Sequence, residues 1–347
     1  VGIWYASRED VKRALDVAET ARTNGQVDRA IDSASRSVEG MLRRTFAPQT
    51  ATRFFDWPNR QYARHFRLWL DADEIISVDT LTVAGEVITS SDFFLEPANT
   101  GPPFTHLEID MSSAAAFSAG DTHQRSIEIE GVFGYNAETE PAGALAEELD
   151  ASETGVDVTD SAAVGVGDIL LIDDERMIVT GKSMLDTGQN IGGDLDDQKN
   201  DVTVPVSDGT EYPVDETILI DSERMLVVDV AGNNLTVKRA FDGSVLATHS
   251  TGADIFAPRT LTVTRGALGT TAATHDDETA VDRHAVPGLV RELTIAEAIN
   301  TIAQEQSAYG RTIGTGENAR EASGRGLRDI RAEAKQRYGR RSRTGAV

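Results

Sequence analysis

Two phrases, each written twice, constrain this chain more than any other feature of its 347 residues. Ile172-Asp-Asp-Glu-Arg-Met-Ile-Val179 returns as Ile220-Asp-Ser-Glu-Arg-Met-Leu-Val227. Leu235-Thr-Val-Lys-Arg239, followed by Ala247-Thr-His249, returns as Leu261-Thr-Val-Thr-Arg265, followed by Ala273-Thr-His275. A tandem repeat would alternate the two phrases, yet they run first, first, second, second. That order predicts one copy nested inside the other, with residues 172–179 pairing with 261–265 around an inner copy that holds 220–249. The two ends of the inserted segment, 141–282, should then lie close together.

Charge divides the chain further. Its 57 acidic and 33 basic residues leave a net charge of -24, and only 5 of the cations are Lys. Residues 137–258 hold 26 acidic and 6 basic side chains, a net of -20, whereas 309–347 hold 4 acidic and 10 basic, a net of +6. A body this acidic repels the phosphate backbone and does not wrap nucleic acid with the bulk of its surface. An acid-rich, Lys-poor surface also suits concentrated salt, where screening shortens to about 3 Å at 1 M, so a halophilic host is one expectation. With no Cys, thiol chemistry is excluded. No apolar run approaches the roughly 18 residues of a membrane span. Val1-Gly-Ile-Trp-Tyr5 carries no basic start before an apolar stretch, and no secretion signal is expected from it.

In chain order, Ser7-Arg-Glu-Asp10 has the pattern of a capping box, and Val11, Ala14, Leu15 and Ala18 follow at helical spacing until Asn24-Gly25 is expected to stop the helix. A second helix carries Val27, Ile31, Ala34, Val38, Met41 and Leu42 on one stripe. From Thr52 the period changes to two, predicting short strands around 66–70, 76–83, 93–95, 107–109 and 127–133. Within 141–282 the doubled phrases read as β-hairpins, with Glu175 and Glu223 at their tips and 186–201 as an exposed acidic loop. Pro287 opens a helix with Leu289, Leu293, Ala296, Ile299 and Ile302 on one stripe. The fold class expected is α+β: a helical framework with a small antiparallel sheet (1–140 plus 283–310), interrupted by an inserted acidic all-β domain of two nested copies (141–282) and followed by a basic arm (311–347).

Sites for chemistry are scarce. Gly181-Lys-Ser183 ends like a phosphate-binding loop, but Arg176 stands where the first Gly is required and no helix pattern follows. Asp194-Leu-Asp-Asp197 lacks the ligand spacing of a calcium loop. His249 and His275 occupy matched positions, which points to a shared structural hydrogen bond ahead of a metal pair. Glu175 and Glu223 form a catalytic pair only if the two copies face each other. No catalytic, cofactor or metal residue is expected, and the chain reads as a non-enzyme. The stretch that fits a partner is the arm: Arg311, Arg320, Arg325, Arg328, Arg331, Lys335, Arg337, Tyr338, Arg340 and Arg341.

The framework resembles the head-tail connector (adaptor) proteins of tailed viruses. The resemblance rests on Met41-Leu-Arg-Arg-Thr-Phe46, Leu68-Trp-Leu-Asp71, Ile75-Ile-Ser-Val-Asp-Thr-Leu-Thr-Val83, Phe93-Phe-Leu95, Ile127-Glu-Ile-Glu-Gly-Val-Phe-Gly-Tyr135, and Val286-Pro287 opening a helix that ends in Tyr309-Gly-Arg311. It covers about half the chain by order and spacing, and the family usually lacks so large an insertion. The repeat phrases also look like modules of tail and neck proteins in such viruses. The resemblance implies a virion protein assembled in the host cytoplasm into a ring, commonly dodecameric, between portal and tail. The basic arm would dock on the portal, a neck or tail protein would bind below, and double-stranded DNA would pass through the lumen without sequence-specific contact. Removing 311–347 is then expected to abolish portal attachment and spare the fold. Two other readings stand beside this one: a neck or tail binding module whose insertion recognises another virion protein or a glycan, and a metal-dependent hydrolase.

Overall fold

The computed structural model describes residues 2–15, 21–57, 64–306, 312–313, 320–321 and 325–340. Among the described residues four helices are formed: α1 (Arg8–Leu15), α2 (Ala21–Leu42), α3 (Gly288–Gln306) and α4 (Arg325–Tyr338). The chain divides into two compact units. The first comprises Val1–Arg36, Thr139–Ala267 and Thr271–Arg331; the second comprises Ser37–Glu138, Leu268–Thr270 and Ala332–Val347.

The expected helical framework is overturned. The chain is 36% strand and 23% helix, and its largest sheet has 10 strands. The helices do not build a core of their own, because an apolar helical stripe is buried equally well by a sheet. The segments read as a framework and as an insertion share one core, in which Val11 of α1, Val27 and Ile31 of α2 and Ala298 and Ile302 of α3 pack with Val156, Leu170, Met177 and Val263 of the repeat region. Helix α2 also runs through Asn24 and Gly25. A helical Gly costs only about 1 kcal/mol relative to Ala, and the buried stripe of Val27, Ile31, Ala34, Val38 and Leu42 outweighs it.

In the second unit the strands are β1 (Gln49–Phe55), β2 (Arg67–Trp69), β3 (Ile75–Val83), β4 (Glu86–Ile88), β5 (Phe93–Glu96), β6 (His106–Ile109) and β7 (Ile127–Phe133). They form a four-stranded sheet in the order β1-β7-β3-β4 and a three-stranded sheet in the order β2-β6-β5, over a core that includes Leu68, Leu81, Leu107, Ile127 and Ile129. Gly131, in the middle of β7, is required by packing, because a β-carbon there would strike the carbonyl oxygen of Ser77.

The first unit holds β8 (Thr139–Ala144), β9 (Gly155–Asp157), β10 (Ile169–Ile172), β11 (Glu175–Asn190), β12 (Thr203–Pro205), β13 (Thr217–Ile220), β14 (Glu223–Ala231), β15 (Asn234–Lys238), β16 (Asp254–Thr264) and β17 (Ala280–His284). A two-stranded ribbon, β18 (Thr312–Ile313) with β19 (Arg320–Glu321), follows α3.

The strand pairing is that of nested copies. In the inner copy Val227 faces Val237, Asp229 faces Thr236 and Ala231 faces Asn234, with a register shift after Val227. In the outer copy Val179 faces Val263, Gly181 faces Thr262 and Ser183 faces Thr260, with the shift at the matching place after Val179. Between Ala231 and Asn234 lies the turn Gly232-Asn233, Gly232 at φ 61°. At the same point of the outer hairpin, between Ser183 and Thr260, sits the whole inner copy, with its own core of Ile218, Ile220, Met225, Val227, Leu235 and Ile255. Strands β11 and β16 serve both copies, because their far halves pair again at Leu185–Ala257 and Asp186–Phe256. The ends of the repeat region meet as well: β8 pairs with β17, Thr139 facing His284.

Candidate functional site

Each copy places an Asp and a Glu of its first phrase beside an Arg and a His of its second. The hairpin between β10 and β11 turns at Asp173 (φ 50°) and that between β13 and β14 at Asp221 (φ 51°), a left-handed conformation that Asp tolerates better than most residues. Just past each turn the Glu points inward. Glu175 and Glu223, expected at hairpin tips, are buried at 2% and 0% exposure.

What holds the two carboxylates is the same atom for atom. Arg265 Nε and Nη2 donate to Glu175 at 2.8 Å each, and Arg239 Nε and Nη2 donate to Glu223 at 2.8 Å each. The backbone N–H groups of Gly266 and Ala273 donate to Glu175 at 2.8 and 3.0 Å, those of Ala240 and Ala247 to Glu223 at 2.8 and 3.0 Å. His275 lies 2.8 Å from Asp173 through Nδ1 and 3.0 Å from Glu175 through Nε2; His249 lies 2.7 Å from Asp221 and 3.0 Å from Glu223 in the same way. The remaining arginine nitrogen, Nη1, reaches the carbonyls of Asp150 and Glu153 in the outer copy and of Asp196 and Asp201 in the inner.

Burial works to raise both glutamates, but the hydrogen bonds from the Arg, the His and the two N–H groups outweigh it and hold Glu175 and Glu223 at about 2. Each carboxylate accepts five hydrogen bonds where about four lone-pair directions exist. No lone pair is left for a metal or a substrate proton, so the cluster ties two hairpins and a loop into one module. The matched histidines therefore do share a structural task, as their repeat positions implied. Arginines 239 and 265 and aspartates 173 and 221 were not assigned a role by sequence reasoning. The signal was present, since opposite charges recur at fixed places in the two phrases.

A second charged group lies around α1. Glu9 accepts the N–H of Val166 at 2.7 Å, Asp10 pairs with Arg291 at 2.8 Å, and Arg8 pairs with Asp28 at 2.7 Å. Asp168 accepts the N–H of Gly165 at 2.8 Å and has Arg283 at 3.7 Å. Burial pushes Asp168 up to about 6; Arg283 and the Gly165 N–H oppose the rise, while Asp10 and Glu9 add to it. The phosphate-loop fragment is part of strand β11, where the Lys182 ammonium donates to the carbonyls of Ser161 and Val164 at 2.6 and 2.8 Å. In the segment read as an exposed acidic loop, residues 186–190 belong to β11, Leu195 is buried and bridges His249, and Asp194 accepts the N–H and hydroxyl of Thr251. Among the described residues, no group of three His, Cys, Asp or Glu is placed to hold a metal, and no helix is long and apolar enough to cross a membrane.

Where it is described, the basic stretch is folded and not a free arm. Arg311 and Arg341 lie outside the described residues; Arg320 falls in β19 and Arg325 opens α4. Arg328, Lys335 and Arg337 are exposed on α4, and Arg331 is bound to Glu297 at 2.7 Å. Tyr338 is buried: its ring lies 6.1 Å from Phe46 and 5.7 Å from Tyr135, and its carbonyl accepts from Arg44 at 3.0 Å. Arg44 in turn clamps Glu74 at 2.7 and 2.9 Å and lies over the Tyr135 ring. The N–H of Arg340 donates to the Leu42 carbonyl at 3.0 Å. No family model, curated protein or solved structure matches the chain.

Proposed function

We propose that this chain is a structural virion protein, a head-tail adaptor that forms a ring between portal and tail and lets DNA pass through its centre. The observation that carries the reading is the packing of Tyr338 against Phe46 and Tyr135. Phe46 ends the helical phrase of the adaptor resemblance and Tyr135 ends its Gly-Tyr strand, so two separate stretches of that resemblance converge with α4 on one aromatic cluster. The cluster fixes the root of the basic stretch, and the residues beyond Arg340 serve as a tether. Saturation of the repeat-region carboxylates by internal donors favours a scaffold over the hydrolase reading. An acidic body lets DNA slide past without adhering. In this reading Arg337, Arg340 and the cations that follow them dock on the portal, and the nested module, stiffened by its two clusters, engages a neck or tail protein.

The test is native mass spectrometry and electron microscopy of the purified protein with and without its portal. A ring that binds the portal is expected; a monomer that ignores the portal under every salt condition would sink the reading. Because Tyr338 belongs to a core, the truncation that probes portal docking must begin after Arg340. Removing 311–347 would damage the second unit and confuse loss of docking with loss of fold.

A further inference from the structure

The four-stranded sheet of the second unit buries one face, with Leu81, Val83, Ile127 and Ile129 at 2% exposure or less, and among the described residues it leaves Phe54, Glu128, Glu130 and Val87 of the other face exposed. Cross-strand partners line up on that open face: Phe54 on β1 beside Glu128 on β7, Thr82 on β3 and Val87 on β4, then Thr52 beside Glu130 and Thr80 in the next row. Phe54 and Val87 are 53% and 67% exposed, large values for apolar side chains. Glu128 and Glu130 lie between them, on one face of one strand and about 7 Å apart. Among the described residues neither side chain has a hydrogen-bonding or ionic partner. Two like charges held side by side on one face of the sheet make a surface that gains from a cationic partner.

The complement is on the same chain. Arg328 and Lys335 are both exposed on α4, seven positions apart and hence on one side of the helix, separated by about 10 Å along its axis. The exposed Ala332 lies between them and is small enough for a helix to rest on a sheet at that point. Among the described residues the ionic contact of Arg328 is to its neighbour Asp329, 3.4 Å long with both side chains mostly in water, and such a pair is easily exchanged. At a net charge of -24 copies of this chain repel one another, unless contact pairs the basic element of one with an acidic face of the next.

We propose that the open face of the four-stranded sheet receives α4 of a second copy, with Glu128 and Glu130 facing Arg328 and Lys335 and with Phe54 and Val87 packing on the aliphatic stems of those cations. The two surfaces differ, so the contact is heterologous and repeats head to tail, closing into a ring where the rotation allows. The inference rests on the ring reading and supplies its lateral interface. Arg337, about 180° around α4 from Arg328, and Arg340 remain for the portal.

Sedimentation of the full chain at low and high salt, on wild type and on charge reversals, tests it. The reversals Glu128→Lys with Glu130→Lys, and Arg328→Glu with Lys335→Glu, should each weaken self-association about a hundredfold while circular dichroism and thermal midpoints stay near wild type. An equimolar mixture of the two variants should assemble again, because each then offers the complement of the other, and the fourfold variant should assemble by itself. Wild type that remains monomeric throughout would overturn the ring reading. Wild type that assembles, with reversals that assemble equally well or a mixture that fails to recover, would overturn this interface and leave the ring standing.

Discussion

Arg265 and Glu175 are 90 positions apart in the chain and Arg239 and Glu223 are 16 apart, yet each pair closes through the same two nitrogens at 2.8 Å. Closing the longer loop costs roughly 1.5 kcal/mol more than closing the shorter, and only a folded inner copy brings the ends of the outer hairpin together cheaply. The copies therefore depend on each other unequally. Glu223→Gln, which leaves Arg239 buried without its counter-charge, should destabilise the inner copy by about 3–5 kcal/mol and loosen the outer copy as well. Glu175→Gln should cost about the same locally while the inner copy stays closed. Residue-resolved hydrogen exchange reads the difference. Equal loss of protection in both copies for both variants would contradict the hierarchy.

The matching registers of the two hairpins support excision. Residues 184–259 stand where Gly232 and Asn233 stand in the inner copy, so replacing 184–259 by Gly-Asn should close the outer hairpin with a turn already used at the equivalent point. The shortened chain is expected to keep the Glu175–Arg265–His275 cluster and a cooperative unfolding transition. Residues 184–259 expressed alone carry a complete core and both of their paired terminal strands, and should also fold. A molten outer copy, judged by lost amide dispersion in an NMR spectrum, would show that the inner copy is needed for more than loop closure.

Two kinds of buried carboxylate give stability opposite slopes with pH. Glu175 and Glu223 sit at about 2 in the folded protein, below their ordinary 4.5, so their contribution is full above pH 4.5 and is lost as pH falls toward 2. Asp168 is raised from 3.8 to about 6, so what it contributes is present below about pH 4 and is lost as pH rises through 6. Urea midpoints should therefore climb from pH 2 to 4.5 and then fall toward pH 6. Asp168→Asn should make the falling limb shallower, leaving the part that Glu9, also raised by burial, supplies, and should spare the rising limb. If the falling limb keeps its full depth in that variant, burial of Asp168 is not its cause.

The nesting is legible in the sequence because it depends on the order of two phrases, and order survives every uncertainty about local conformation. Strands β3, β5, β6 and β7 are legible through their alternation. The features that sequence reasoning missed have one physical root. Periodicity says that Val27, Ile31, Leu293 and Ile302 must be buried, but it does not say against what. The helices, of which α1 and α3 do touch through Asp10 and Arg291, pack also on the repeat region, and a chain that reads as a helical framework is mainly β. Short strands such as β9 and β12, 3 residues each, offer too few positions for a period to register. The arm is visible through charge alone, and charge says nothing of Ala334 and Tyr338, which are buried and turn half of the expected tether into part of a folded unit.

Tyr338 is where that last point can be tested. It stacks edge-on to Phe46 and Tyr135 near the C-terminal end of α4, a 14-residue helix rich in charge, and an isolated helix of that length is marginal in water. Its stability must come from the docked side, which Ala334 and Tyr338 supply. Tyr338→Ala should cost about 3–4 kcal/mol through the lost aromatic contacts and the cavity left behind, and it should release α4, exposing the arginines there to trypsin. Tyr338→Phe keeps the ring and should behave as wild type, because the contact to Arg44 is made by the backbone carbonyl and not by the phenol. Rapid tryptic cleavage within 328–340 in the alanine variant, with the phenylalanine variant resistant, is the expected pattern. Equal resistance in both would mean that α4 is held by something other than this ring.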